Sequence, residues 1–162
     1  MVSSSNEDLL GALTLAFSME KGSNEFYKRA EEKIIDKKGK EMFKKLASFE
    51  EGHMSYIQYL YTSLLDERKL FSLSEFKEMV PTEFMEGGIK IDPSIVKVED
   101  TPFMDDIDVL NIAEDKEHKS YSFYQKLIRK SSDINAKVIF EELAKEEKKH
   151  IKYIKDLKEK IK

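Results

Sequence analysis

The 162-residue sequence contains no cysteine. That excludes disulfides, thiolate metal sites, cysteine nucleophiles and cysteine-ligated iron–sulfur centres, and leaves any metal chemistry to histidine and carboxylate. Glycine and proline are scarce, at 6 and 3 residues, and Pro81, Pro93 and Pro102 fall in one stretch. The remainder is poor in helix breakers and rich in Lys, Glu, Leu and Ile, which argues for long helices. No apolar run approaches the roughly 20 residues of a membrane span. Residues 9–17 follow the acidic Glu7 and Asp8 and lack a cationic lead or a small-residue cleavage site, so a signal peptide is not expected. Charge of one sign is also missing in bulk. The net −4 is spread over interspersed acids and bases, with no basic stripe for nucleic acid or an anionic membrane. The expectation is a soluble, cytoplasmic protein with one domain over residues 1–162 and a real core.

What the sequence does have is an internal repeat. Glu20 and Glu117 stand 97 positions apart, and so do Phe26-Tyr27 and Phe123-Tyr124. The segment Phe43-x-x-Leu46-Ala47-x-x-Glu50-x-x-His53 recurs at the same offset as Phe140-x-x-Leu143-Ala144-x-x-Glu147-x-x-His150. Ser23 and Ser120, Asp36 and Asp133, Ile57 and Ile154, and Leu60 and Leu157 keep that register without a gap. The chain is therefore expected to be a duplicated helical hairpin.

Periodicity gives the helices. Leu9, Leu10, Leu13, Ala16, Phe17, Glu20, Ser23, Asn24, Tyr27 and Ile34 follow the three-and-four spacing of one helix face. Ser4-x-x-Glu7 or Ser5-x-x-Asp8 is the expected cap, and Lys37-Lys38-Gly39 the expected stop. The second helix is expected over about 40–66, with Phe43, Leu46, Glu50, His53, Ile57, Leu60 and Leu64 inward. The third is expected over about 105–130 and the fourth over about 133–160, with Val138 among the inward positions. Hairpin 1 thus covers about 5–66 and hairpin 2 about 105–160. Residues 67–104 form the crossover, with a short helix over 71–79 and an extended stretch over 89–98. Helices of this length are about 40 Å long, and a crossover that spans the bundle gives an all-α, ferritin-like four-helix bundle of two repeated hairpins.

The acids fall where apolar residues belong. Glu20, Glu50, His53, Glu117, Glu147 and His150 all occupy the inward stripe, and buried carboxylates must be protonated, paired or metal-bound. Glu and His at i and i+3 share a helix face, so each Glu-x-x-His pair aims at one point. One Glu from each of two helices and Glu-x-x-His from each of the other two match the known pattern of dinuclear carboxylate sites in helical bundles. Four carboxylate charges match two divalent cations. Hard oxygens with imidazole suit two iron ions, and manganese or zinc can substitute. Tyr27 and Tyr124, seven residues past Glu20 and Glu117, are core aromatics or donors that orient a ligating carboxylate. His118 is expected on the surface, and Tyr56, Tyr59, Tyr61 and Tyr121 are assigned to packing or subunit contacts.

On Glu20, Glu50-x-x-His53, Glu117, Glu147-x-x-His150 and the Phe-Tyr pairs, the sequence resembles the rubrerythrin branch of the ferritin-like superfamily. It is most similar to the stand-alone di-iron members without a rubredoxin domain. The resemblance implies peroxide or dioxygen reduction at the di-iron site by an oxidoreductase, with the six ligands catalytic through their metals. With no cysteine for a rubredoxin module, it implies a separate rubredoxin-like electron donor. Rubrerythrins carry a further Glu one turn after the third-helix ligand, where this sequence has Ser120. Two other functions fit the same residues: ferroxidase-type iron sequestration, and a bundle that its metal merely stabilises. A homodimer is the expectation from symmetry.

Overall fold

The computed structural model describes residues 4–68, 70–79 and 105–161 of the protein. Its elements are α1 (Ser4–Lys33), α2 (Lys37–Leu65), the short α3 (Leu73–Met79), α4 (Asp106–Lys130) and α5 (Ile134–Ile161). Helix α1 packs along α2 and α4 along α5, and the hairpins meet through α1 against α4 and α2 against α5. The fold is the all-α, ferritin-like bundle of two hairpins. No helix among the described residues is long and apolar enough to cross a membrane. The expected extended stretch 89–98 lies outside the described residues, as do the side chains of Ser4 and Ser5.

Helix ends follow local hydrogen bonding. The expected glycine stop is corrected: α1 ends at Lys33, and Gly39 lies inside the first turn of α2. There Asp36 is the N-cap, its side chain accepting the Gly39 N–H at 2.8 Å. A Cβ on residue 39 would stand 2.5 Å from Cδ1 of Ile34, so glycine here makes room for a core side chain rather than ending a helix. Asp105 caps α4 by accepting from the Asp108 N–H. The next residue, Asp106, accepts from the backbone N–H of both Ile35 and Asp36, at 2.9 and 3.0 Å. The first turn of the second hairpin is thereby tied to the loop of the first.

Two apolar clusters fill the bundle, one toward each end. Leu13, Ala16, Tyr56, Ile57, Leu60, Tyr124, Phe140 and Leu143 belong to the first. Tyr27, Ala30, Ile34, Phe43, Leu46, Leu110, Ala113 and Ile154 belong to the second. A fully buried Leu, Ile or Phe contributes about 1.5–3 kcal/mol, so clusters of this size can hold a polar layer between them. The segment entering α3 packs on α2: Tyr56 Oη donates to the Phe71 carbonyl at 2.9 Å, and the Phe71 N–H donates to Tyr59 Oη at 2.8 Å. Tyr56 and Tyr59 therefore pack as expected, and Tyr61 and Tyr121 lie partly buried against the same cluster. Val138 is a correction. It is 46% exposed, and its neighbour Ile139 turns inward instead, beside the expected Phe140.

Candidate metal centre

The polar layer between the clusters consists of the six residues that the repeat singled out. Glu20, Glu50, His53, Glu117, Glu147 and His150 are each 1% exposed or less. Helix α1 supplies Glu20, α2 supplies Glu50 and His53, α4 supplies Glu117, and α5 supplies Glu147 and His150. His118 is exposed, one residue past Glu117 and on another helix face. Glu114 lies off the cluster and pairs with Lys158 at 3.0 Å and Lys155 at 3.9 Å.

Both imidazoles turn Nδ1 toward the centre. His53 Nδ1 lies 3.4 Å from Glu20 Oε2, 3.5 Å from Glu50 Oε2 and 3.2 Å from Glu147 Oε1. His150 Nδ1 lies 3.2 Å from Glu117 Oε1, 3.1 Å from Glu50 Oε1 and 4.0 Å from Glu147 Oε2. Glu50 and Glu147 thus each present one oxygen to either histidine. The potential ligand atoms fall into two overlapping groups, Glu20, Glu50, His53, Glu147 and Glu50, Glu117, Glu147, His150, each within 4.8 Å. Two carboxylates shared between two groups would let the cluster hold metal ions at adjacent points.

The donor set also fits cations by what it leaves unpaired. Both Glu50 oxygens, Glu117 Oε2 and Glu147 Oε1 are buried without a hydrogen-bond partner. A buried carboxylate oxygen without a donor costs several kcal/mol, which two divalent ions at the shared points would offset.

The tyrosines close the layer crosswise. Tyr27 Oη on α1 donates to Glu117 Oε1 on α4, and Tyr124 Oη on α4 donates to Glu20 Oε1 on α1 at 2.5 Å. Burial, and then the Glu117 charge, push Tyr27 up. Burial, and then the Glu147 charge, do the same for Tyr124, so both hydroxyls stay donors. Burial, with the charges of Glu50 and Glu117, pushes Glu147 well above the usual carboxylate range. For Glu50, burial pushes up, but the adjacent His150 and His53 imidazoles outweigh it and hold this carboxyl at about 2. Burial pushes His150 down, yet Glu117 and Glu50 outweigh it and raise it to about 9. Without metal, the cluster therefore retains protons on Glu147 and His150 that cations must displace.

A family model for rubrerythrin matches residues 11–158. The chain belongs to the rubrerythrin family. No curated protein and no solved structure matched it. Within this rubrerythrin bundle, the position one turn past Glu117 holds Ser120, 3% exposed, and its repeat mate Ser23 is 7% exposed. The described cluster accordingly has two acids from each hairpin, and it is nearly symmetric.

Two residues beside the cluster and one at the bundle's end were given no role by the sequence pattern. Asn24 Nδ2 donates to the Ala47 carbonyl at 2.7 Å, locking α1 to α2 one turn from Glu20. Asp106 ties the two hairpins at one end. The Phe49 ring stacks on His150 at 5.5 Å and 14°, although residue 49 stands outside the inward stripe. Only the repeat's asymmetry, Phe49 against Glu146, could have drawn attention to it.

Proposed function

We propose that the protein is a di-iron carboxylate oxidoreductase that reduces hydrogen peroxide or dioxygen. The observation that carries this is the sharing of Glu50 and Glu147 between the Glu20–His53 and Glu117–His150 groups. In this assignment Glu50 and Glu147 would serve both metals, Glu20 with His53 would hold one, and Glu117 with His150 would hold the other. Two irons passing between the ferrous and ferric states would supply the two electrons that one peroxide consumes, with two protons, in becoming two waters.

The chain's own residues make the site suited to this work. Full burial of the six donors keeps bulk water away, so charge interactions inside are stronger than at the surface. Tyr27 and Tyr124 hold Glu117 and Glu20 by one oxygen each, which fixes the direction of the other. Nδ1 of each histidine faces the cluster, so a metal bound there would leave the ring proton on Nε2. Electrons come from a separate, rubredoxin-like protein, and the enzyme works in the cytoplasm as a homodimer that binds neither nucleic acid nor membrane.

A second function rests on Ser120. The serine at that position adds no carboxylate to the site, and such a site also suits ferroxidase-type uptake of Fe²⁺ without a dedicated reductant. Anaerobic reduced protein, mixed with peroxide and followed optically, separates the two. The oxidoreductase predicts two irons per chain oxidised by one peroxide and repeated turnover with an added electron donor. Oxidation that stops after one event, donor or no donor, supports sequestration. Protein that retains no iron after desalting excludes both.

A further inference from the structure

Between α2 and α5 lies a surface groove of about 470 Å³. Its apolar lining includes the buried Leu46 and Leu157, and Phe49 and Tyr153, which are 41% and 45% exposed. Phe49 joins this groove to the cluster, because its ring also stacks on the buried His150 at 5.5 Å and 14°. One partly exposed ring thus stands between the surface and a histidine of the cluster. Charge singles out the same place. Residues 37–49 hold five lysines and one acid, and residues 149–161 five lysines and two acids, in a chain whose net charge is −4. Lys38, Lys45 and Lys160, all exposed, line the groove together with Glu41 and Asp156. Asp156 is paired with Lys152 at 3.5 Å, so the groove keeps a positive excess. A second copy seated here by two-fold symmetry would set one lysine-lined groove against another, which disfavours it. An acidic partner fits.

We infer that this groove is where the electron donor docks: a small one-electron carrier protein with an acidic face, seated on Phe49 and Tyr153 and passing its electron toward His150. The inference rests on the oxidoreductase function proposed above and adds to it the partner's charge and its landing site. Electron transfer weakens steeply with distance, and a ring stacked on a cluster histidine gives a short path from the surface. Each encounter oxidises the carrier by one electron. Two encounters return two ferric ions to the ferrous state and so replace the two electrons that one peroxide removes. Redox partners of this kind meet through small contacts, and charge attraction that salt screens speeds their encounter.

A purified rubredoxin of acidic net charge is the probe. Binding is read from amide NMR shifts of its zinc-substituted form titrated with the protein, and electron transfer from stopped-flow oxidation of its reduced iron form by the ferric protein. Binding is expected at low salt and weakens as salt rises. Lys38→Glu, Lys45→Glu and Lys160→Glu together weaken binding and slow transfer about tenfold. Peroxide oxidation of the dithionite-reduced protein, which needs no carrier, keeps its wild-type rate. Three reversals on α4, Lys119→Glu, Lys126→Glu and Lys130→Glu, leave binding and transfer in place, and circular dichroism verifies that both variants keep their helices. Binding and transfer unchanged in the groove variant, or lost equally in the α4 variant, would overturn the inference while an intact peroxide reaction leaves the oxidoreductase standing. A dimer that falls to monomer only in the groove variant would assign the groove to a second copy and overturn it too. A reduced protein that peroxide does not oxidise would overturn the proposed function and this inference with it.

Discussion

Tyr124 on α4 donates its hydroxyl proton to Glu20 on α1 at 2.5 Å, across the seam between the two hairpins. Tyr27 returns the bond from α1 to Glu117 on α4. Each hairpin therefore sets the direction of a carboxylate that belongs to the other, and assembling the bundle and shaping the site are one event. The Tyr124→Phe variant leaves Glu20 Oε1 buried without its donor, at a cost of about 1–3 kcal/mol. Metal affinity should fall about tenfold, with two ions still bound at saturation. Urea unfolding of the metal-free protein and a Co²⁺ titration measure the two effects separately.

The shared and unshared carboxylates should differ in what their loss removes. Glu50→Ala deletes a donor common to both groups, so the dinuclear centre is lost. Glu20→Ala deletes a donor of one group, so one ion per chain remains. His150→Ala likewise limits the protein to one. Metal analysis after desalting gives the stoichiometries, and a Glu50→Ala protein that still held two ions would remove Glu50 from the bridge.

Removing the metal should reverse the protein's dependence on pH. In the metal-free state Glu147 is raised, and its folded form holds a proton that the unfolded chain releases near pH 4.5. Its contribution is therefore present below that pH and is lost as pH rises. His150 is raised from 6.5 to about 9, so its contribution is complete below 6.5 and disappears by about 9. Glu50, lowered to about 2, contributes above 4.5 and loses that contribution only as pH falls toward 2. Between pH 6.5 and 9 the metal-free protein should therefore lose stability, while metal-loaded protein gains it because the cations displace those protons. Thermal melts with and without chelator across that window show the crossing. Glu147→Leu should raise the metal-free melting temperature and flatten its pH profile.

Asp106 offers a test of how the hairpins are joined away from the metals. Asp106→Ala removes the acceptor for the Ile35 and Asp36 amides and should cost about 1–2 kcal/mol in urea unfolding. Metal stoichiometry should stay at two per chain.

The buried cluster of six was legible because two signals coincided: acids on an apolar helical stripe, and a repeat that placed them in register. Both are local or one-dimensional, and they survive folding unchanged. Helix ends were less legible. Gly39 has the chemistry of a stop, but Asp36, three residues earlier, caps the next helix, and the Ile34 side chain claims the space a Cβ would need. Val138 has the spacing of an inward residue, and a small rotation of α5 brings Ile139 inward in its place. The crossed tyrosine bonds, the Asp106 tie and the Phe49 stack depend on how one hairpin sits against the other. No sequence period records that relation.

The central claim is that Glu50 and Glu147 join two metal positions into one site. An anomalous difference map from crystals of the iron-loaded protein tests it most directly. The account predicts two iron peaks per chain, about 3.5–4 Å apart, both within bonding reach of Glu50 and Glu147. One peak should lie nearest His53 Nδ1 and the other nearest His150 Nδ1. A single peak, or two peaks with neither Glu50 nor Glu147 between them, would contradict it.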